Sequence, residues 1–346
     1  MPGKLEERYR FYLAKKQDIL DIMTYIGKYW KPNHILAQNR EFFEYEFAAG
    51  EDIHFVLARD RKDESLAGIH GYYLCSKNKA HWDIWGSMWS ARSEPDDLPF
   101  LGVELARQRD KLLKERCQIG VGNNPKTAIP LLERVFKHHC GKLDHYYMLN
   151  DLKEYTIAQI KTKPLPSSSQ TDDKGYFLER IETPAELAAK FPFTDYTDQI
   201  PYKDLWYYQH RFFEHPVYHY LIYGCFTPEQ KMKAILVFRR QEQNDSAVLR
   251  LVDYYGEHEA LSHLNRELRA LLGPEMEYID FYCCGFAPEI LTAAGFVLKN
   301  AEDGNIIPNY FEPFVPENID IWYNSSLPNP IICKADADQD RPNAVK

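Results

Sequence analysis

The fold is decided by three successive stretches of sequence: IHFVLAR at Ile53–Arg59, LAGIHGYYL at Leu66–Leu74 and WDIWGSMWS at Trp82–Ser90. Each stretch is rich in β-branched and aromatic residues, which is typical of strands. The same order returns later in the chain with nearly the same spacing, as YHYLIYGCF, MKAILVFR and VLRLVDYY at Tyr218–Phe226, Met232–Arg239 and Val248–Tyr255. The sequence therefore predicts that one folding unit is present twice.

The two copies differ after their third strand. In the first copy, the loop ARSEPDDLPFLG (Ala91–Gly102) separates this strand from a helix predicted for Val103–Glu115. In the second copy, only Gly256–His258 precede a helix predicted for Glu259–Leu272. Because binding residues are often carried by loops, the loop that only one copy keeps indicates a ligand site in the first copy.

The order of elements predicts an α+β fold. In each copy, three strands are followed by a helix, a strand, a helix and two more strands, which is not the alternation of a βαβαβ fold. The step from the third strand to the fourth is expected to be a right-handed parallel crossover. We therefore expect two tandem domains at residues 1–160 and 176–333, each a mixed, mostly antiparallel sheet flanked by helices. His145–Leu149 and Tyr155–Ile160 are expected to be the strands that close the first domain.

Two polar stretches are expected to lie outside these domains. Residues 161–175 contain a Pro- and Ser-rich run and are predicted to be the interdomain linker. Residues 334–346 are polar and are predicted to be a disordered tail.

Composition excludes several classes of protein. The chain has 346 residues, of which 45% are apolar, so it can form two cores. Its net charge of −9 argues against binding to nucleic acid. The sequence lacks an apolar run of the ~18–20 residues that a membrane helix needs and an N-terminal signal peptide, so we expect a cytoplasmic location. The seven cysteines show no CxxC spacing and are predicted to be reduced thiols, with no metal site.

This order of elements, found twice, resembles the GNAT superfamily of acyl-CoA-dependent N-acyltransferases. More narrowly, the chain resembles tandem GNAT-like proteins found with surface-polysaccharide genes. That likeness rests on WGSMW (Trp85–Trp89), the loop into LGVEL, the turn GVGNN (Gly120–Asn124) and the run IIPNYFEPF (Ile306–Phe314). Fem-type aminoacyl transferases, which also have paired GNAT units, are near neighbours.

The resemblance implies an acyl-CoA donor, with acetyl-CoA as the default. In the family, the pyrophosphate lies at the N-terminus of the helix after the third strand, where unpaired N–H groups and the helix dipole favour anions. Of the basic-x-x-Gly-x-Gly signature of that loop, this chain has Gly102. The residues that the resemblance places at the cofactor are Trp89, Leu98, Phe100, Leu101, Gly102, Val103 and Asn123.

Acyl transfer to an amine is helped by a general base. Asp83 on the third strand and Glu94 on the following loop occupy positions where family members often place one. The alternative interpretation makes Asp83 a solvent-facing strand residue and Glu94 a surface acid. His70 and His81 lie on neighbouring strands and are interpreted as structural histidines.

The resemblance also implies the acceptor, an amino sugar linked to a nucleotide or a lipid, with the second copy forming a wall of its site. Two alternatives stay open. One is a Fem-like aminoacyl transferase that uses aminoacyl-tRNA, and the other is a GNAT-like binding module without catalytic activity. The sequence does not predict the oligomeric state.

Overall fold

The computed structural model describes residues 2–164 and 173–343, which form two compact units. Of the described residues, unit 1 comprises 2–75, 82–120 and 341–343, and unit 2 comprises 76–81, 121–164 and 173–340. Residues 165–172, the centre of the predicted linker, lie outside the described part of the chain.

Unit 1 is a sheet with helices on its faces. Its helices are α1 (Pro2–Arg8), α2 (Ile19–Tyr25), α3 (Ile35–Gln38), α4 (Arg40–Phe47) and α5 (Leu101–Leu113). Its strands are β1 (Tyr9–Lys15), β2 (Ala48–Ala49), β3 (Asp52–Asp60), β4 (Leu66–Leu74), β5 (Asp83–Ala91) and β6 (Cys117–Val121). Strands β1, β3, β4 and β5 pair antiparallel in that order, and β6 joins β5 in parallel. The three predicted strands and the parallel pairing of the third with the fourth are thus confirmed.

Both faces of this sheet are covered, which explains why four consecutive residues in the middle of β3, residues 55–58, are apolar and buried. Phe55 packs against Phe43 and Phe47 of α4, with ring centroids 5.7 and 4.6 Å apart. The next residue, Val56, belongs to another cluster that contains Leu105 of α5. Because successive strand residues point to opposite faces, α4 and α5 cover opposite faces of the sheet.

Unit 2 is built around a second mixed sheet. Its helices are α6 (Ala128–Arg134), α7 (Pro184–Lys190), α8 (Leu205–Tyr208), α9 (Asn265–Leu271) and α10 (Pro288–Ala293). Its strands are β7 (His139–Lys142), β8 (Asp144–Leu149), β9 (Phe177–Arg180), β10 (Tyr220–Phe226), β11 (Met232–Gln243), β12 (Ser246–Gly256), β13 (Met276–Cys284), β14 (Val297–Leu298), β15 (Tyr310–Phe311), β16 (Phe314–Val315), β17 (Trp322–Ser325) and β18 (Ile332–Cys333). The main sheet has the order β14-β8-β13-β12-β11-β10-β9, with β12 and β13 parallel. The repeated strands β10, β11 and β12 confirm the second copy.

The strands expected to close the first domain lie elsewhere. Asp144–Leu149 is a strand, but it pairs antiparallel with β13, in the sheet of unit 2. Within the segment predicted as the strand Tyr155–Ile160, Gln159 makes a single bridge with Ile306. The backbone N–H groups of Ile157 and Ala158 instead donate to the carboxylate of Glu277, at 2.9 and 2.8 Å. A buried carboxylate thus takes the place of a neighbouring strand.

The segment predicted as a disordered tail is packed instead. Lys334, Asp336 and Asp340 are 2%, 0% and 2% exposed. The carboxylate of Asp336 forms an ion pair with the ammonium group of Lys203 at 2.8 Å. The carboxylate of Asp340 forms one with the guanidinium of Arg239, also at 2.8 Å. The polar composition of this segment reflects pairing with buried cations, because a charge inside a protein needs a partner.

Two other expectations concern the whole chain. Among the helices of residues 2–164 and 173–343, none has both the length and the apolar character needed to cross a membrane. All seven cysteines are free thiols, as predicted.

Lys334 is the exception to charge pairing in unit 2. Its Nζ has no hydrogen-bond partner among the described residues and lies 5.6 and 5.3 Å from the ring centroids of Tyr282 and Tyr310. Burial, and then the nearby guanidinium of Arg250, lowers the pKa of Lys334 to about 7, although the nearby carboxylates of Asp340 and Asp280 act in the opposite direction. The folded protein therefore holds this amine largely without its proton above neutral pH.

We predict that Lys334→Met raises the free energy of unfolding at pH 7 by roughly 1–4 kcal/mol. The unfolded chain protonates this lysine below about pH 10. In the folded protein the same lysine is protonated only below about pH 7. The stability of the wild type therefore falls as the pH drops from about 10 to 7, and the variant loses this fall. Denaturant titrations from pH 7 to 10 measure the free energy of unfolding, with a variant of an exposed lysine, Lys153→Met, as control. If this free energy changes equally with pH in the wild type and in Lys334→Met, the prediction is contradicted.

Candidate active site

A β-bulge interrupts the pairing of β4 with β5. Ile69 pairs with Ser90 and Gly71 pairs with Ser87, so His70 faces two residues, Met88 and Trp89. Met88 has a left-handed backbone with φ +50°. Bulges bend a strand and redirect its side chains, and they are common beside active sites.

The same strand separates from its parallel neighbour. The ladder between β5 and β6 covers only Asp83–Trp85 against Cys117–Ile119. At the point of separation a Cβ on Gly86 would lie 2.8 Å from Nε2 of Gln118, so the amide of Gln118 would have to move to admit a side chain there. Within the described residues, the parallel ladder therefore ends at Trp85, and β5 continues beyond it without a strand partner on this edge.

The loop that follows β5 is held by buried ion pairs. Arg92 contacts Asp60 at 2.8 Å and Asp97 at 3.0 Å, and the three side chains are 1–7% exposed. Tyr9 donates its hydroxyl to Asp97 and accepts the backbone N–H of Leu98, at 3.2 and 3.1 Å. These contacts fix the chain where it turns into α5.

Helix α5 begins without a side-chain cap. Its N-cap residue, Phe100, has φ +69° and is 64% exposed. The N–H groups of Leu101, Gly102 and Val103 have no acceptor among the described residues, and helix termini of this kind attract anions. The indole of Trp89 donates to the carbonyl of Gly102 at 2.9 Å. The bulge and the helix N-terminus are therefore joined by a direct hydrogen bond.

The two predicted bases have different surroundings. Asp83 is fully buried and accepts two hydrogen bonds from Arg116, one of them at 2.8 Å from Nε. Glu94 is exposed and accepts the hydroxyl of Tyr29, which lowers the pKa of Glu94. The pairing with Arg116 favours a structural role for Asp83, while Glu94 is ionised and open to solvent.

A third candidate base is His70, which the sequence interpretation treated as structural. Its ring stacks on Trp89 with centroids 5.6 Å apart, and Nε2 lies 3.2 Å from Nη1 of Arg109. Burial, and then the charge of Arg109, lowers its pKa well below the usual value. A neutral imidazole therefore stands opposite the bulge. Its place on the second strand was evident from the sequence, but the bulge it faces depends on how two strands align.

Asn123, which the resemblance placed at the cofactor, belongs to unit 2. Its side-chain amide donates to Oδ1 of Asn324 at 2.9 Å, and its backbone N–H donates to the carbonyl of Trp322 at 3.1 Å. Its role at the cofactor stays a prediction.

The second copy carries buried charges instead of a long loop. Strand β12 ends at Gly256, and a short 3₁₀ helix begins at His258. In the described residues, donor atoms of Asp253, Cys333 and Asp336 lie within 4.8 Å of one another, an arrangement that could hold a metal. The ammonium group of Lys203 already contacts both carboxylates, so an internal cation fills that position.

Comparison with solved structures shows the fold of GCN5-related N-acetyltransferases. A GCN5-related N-acetyltransferase from Anabaena variabilis ATCC 29413 matches with a TM-score of 0.55 at 9% identity, over 92% of this chain and 72% of that chain. A conserved protein of unknown function from Enterococcus faecalis V583, described as a probable N-acyltransferase, gives a TM-score of 0.54 at 9% identity, over 91% of this chain and 71% of that chain. No family model and no curated protein matches the sequence. The predicted mixed α+β fold of GNAT type is thus confirmed.

We predict that Phe100→Gly stabilises the protein by about 1 kcal/mol, because the left-handed conformation strains any residue with a Cβ. Thermal unfolding of the two proteins measures the change. Phe100→Ala removes the same exposed ring but keeps the Cβ, so it should show little of this gain. A lower melting temperature for Phe100→Gly than for Phe100→Ala would refute the prediction.

Proposed function

We propose that this protein is an N-acyltransferase that uses acyl-CoA, with acetyl-CoA as the simplest donor, at the site in unit 1. One observation carries the proposal: a parallel strand pair that separates, a bulge on the separated strand and an uncapped helix N-terminus occur together. The hydrogen bond from Trp89 to Gly102 joins the bulge to that helix. The matching N-acetyltransferase fold supports the same activity.

In this proposal the residues of the first turn of α5 bind the donor. The free N–H groups of Leu101, Gly102 and Val103 hold the pyrophosphate, and Leu98 and Phe100 flank it. The edge of β5 beyond Trp85, where the parallel ladder with β6 has ended, is proposed to bind the amide-bearing arm of the donor through backbone hydrogen bonds. Trp89 positions the helix, and Asn123 is proposed as a further contact.

The transfer requires the protein to remove one proton from the attacking amine. The amine nitrogen forms a bond to the thioester carbon, the carbon–sulfur bond breaks, and the sulfur leaves as a thiolate that takes up a proton. Asp83 and Glu94 stay our proposed bases, and His70 joins them because its imidazole is neutral beside the bulge. A general base contributes about 10²–10⁴-fold to such a reaction.

The acceptor is proposed to be an amino sugar linked to a nucleotide or a lipid, in surface-polysaccharide synthesis. This part rests on the resemblance of the sequence. An acceptor-binding role for the second of the two domains is part of the same proposal.

A binding module without catalysis is the second candidate, and one observation favours it: Arg116 and Arg109 already engage Asp83 and His70. Transfer from aminoacyl-tRNA is disfavoured by the net charge of −9.

We predict that acetyl-CoA binds the wild type and binds Gly102→Glu at least tenfold more weakly, because the substitution adds a negative charge to the first turn of α5, where the pyrophosphate is proposed to bind. Isothermal titration measures both affinities. Gly102→Ala is the matched control, since a Cβ there makes an ordinary contact of 3.6 Å with Ala91. Lack of binding by the wild type would overturn the proposed donor.

We predict that one of Asp83→Asn, Glu94→Gln and His70→Phe lowers kcat/KM by about 10²–10⁴-fold with little change in acetyl-CoA affinity. Release of free thiol from acetyl-CoA in the presence of glucosamine measures the rate. The melting temperature of Asp83→Asn is measured as well, because this variant also leaves Arg116 without its carboxylate. If no substitution changes the rate of an active wild type, all three residues are excluded as bases.

A further inference from the structure

Three oxygen acceptors converge beside the bulge, on the face of the sheet that α4 covers. The carboxylate of Glu46 on α4 accepts a hydrogen bond from the hydroxyl of Tyr73 at 2.8 Å. Tyr73 is one of the β4 residues that point away from His70, and Ser87 on β5 pairs with Gly71 on the same face. The carboxylate of Glu46 and the hydroxyls of Tyr73 and Ser87 form what we call the oxygen cradle.

The guanidinium of Arg341 fills the oxygen cradle. Its Nε donates to Oε2 of Glu46 at 2.8 Å, and its Nη2 contacts the hydroxyl of Tyr73 and donates to Oγ of Ser87 at 3.3 Å. The side chains of Arg341 and Glu46 are 7% and 5% exposed. A cation is thus held out of water by one anionic and two neutral oxygen groups.

The oxygen cradle adjoins the separated part of β5. Nη1 of Arg341 lies 4.0 Å from Sδ of Met88, the residue with the left-handed conformation at the bulge. Ser87 and Met88 both follow Trp85, where pairing with β6 stops. On the proposed function, this is the part of the strand along which the thioester lies.

The chemistry of the oxygen cradle matches a primary ammonium group. Such a group carries three N–H donors and one positive charge, and the cradle offers three oxygen groups with one negative charge. The ring of Tyr73, stacked on Phe47 with centroids 4.8 Å apart, adds an aromatic wall beside the cation. The face of an aromatic ring attracts a cation. It can also pack against the apolar part of a small molecule that bears the ammonium group.

We infer that the oxygen cradle of Glu46, Tyr73 and Ser87 binds the primary ammonium group of the acceptor, and that Arg341 competes with the acceptor for it. This inference rests on the proposed function, because it names the acceptor side of the same site. The acceptor is then a small molecule with a primary amine, and the free protein is held in a self-occupied state. Displacement of Arg341 places the ammonium group beside the bulge, where it loses one proton to solvent to become the attacking amine; the second proton goes to the proposed base during transfer.

The test is the binding of glucosamine, with glucose as the probe that lacks the ammonium group. We expect Arg341→Met to bind glucosamine at least tenfold more tightly than the wild type and to bind glucose no better. Adding Glu46→Gln to Arg341→Met should abolish the gain. Arg59→Met is the matched control, since it removes another arginine that is 12% exposed and paired with Asp18 and Asp21. Equal or weaker glucosamine binding by a folded Arg341→Met overturns the inference.

A second measurement uses the wild type in case Arg341→Met does not fold. Nitrogen–proton NMR spectra of arginine Nε–H groups contain one signal that Arg341→Lys removes. Glucosamine should shift this signal and glucose should not; a signal that glucosamine leaves unmoved overturns the inference. Titration with acetyl-CoA separates the two proposals. Normal binding of acetyl-CoA with no effect of glucosamine refutes only the oxygen cradle, whereas lack of acetyl-CoA binding refutes the proposed donor.

Discussion

The geometry of unit 1 depends on the point where the parallel pairing of β5 with β6 ends, after Trp85 and Ile119. Backbone N–H and C=O groups need hydrogen-bond partners. Where a strand loses its neighbour, these groups must bond to side chains, water or a ligand. On its other edge β5 stays paired with β4, but with an extra residue at Met88 and Trp89 that bends it. Trp89 then hydrogen-bonds the first turn of α5. The separation, the bulge and the helix position are therefore parts of one structure.

Buried charges make that structure rigid before any ligand arrives. Arg92 contacts Asp60 and Asp97, and all three are nearly inaccessible to water. Removing one partner of such a group typically costs about 3–5 kcal/mol, because the remaining charge stays buried. The loop before α5 therefore has one strongly preferred conformation. A site that is already ordered loses less conformational entropy on binding.

The sequence predicted what depends on local pattern and missed what depends on distant partners. The strand triplets, the long loop and α5 were all evident from residue type and spacing. The role of Asp83 could not be judged from its position on a strand, because Arg116, 33 residues further on, binds its carboxylate. The segment of Lys334, Asp336 and Asp340 was predicted to be disordered from its polarity. Its two carboxylates instead pair with buried cations of distant segments. The composition of a segment does not predict such pairs.

The second copy has a similar bulge in different surroundings. Val237 pairs with Asp253 and Phe238 with Leu251, so Val252 is an extra residue in β12, as Met88 is in β5. The parallel ladder of β12 with β13, however, continues to Leu251 and Phe281, next to the bulge. Beyond it, Asp253 accepts the hydroxyl of Tyr208 at 2.8 Å and contacts the ammonium group of Lys203.

The two units thus share a strand distortion but differ in what surrounds it. In unit 2 the neighbouring strand stays paired up to the bulge, and internal side chains satisfy the charge beside it. In unit 1 the neighbour leaves three residues before Met88, and a free helix N-terminus follows. On the proposed function, the capacity to bind a donor comes from the shorter parallel ladder and the uncapped helix. The bulge bends β5 between them.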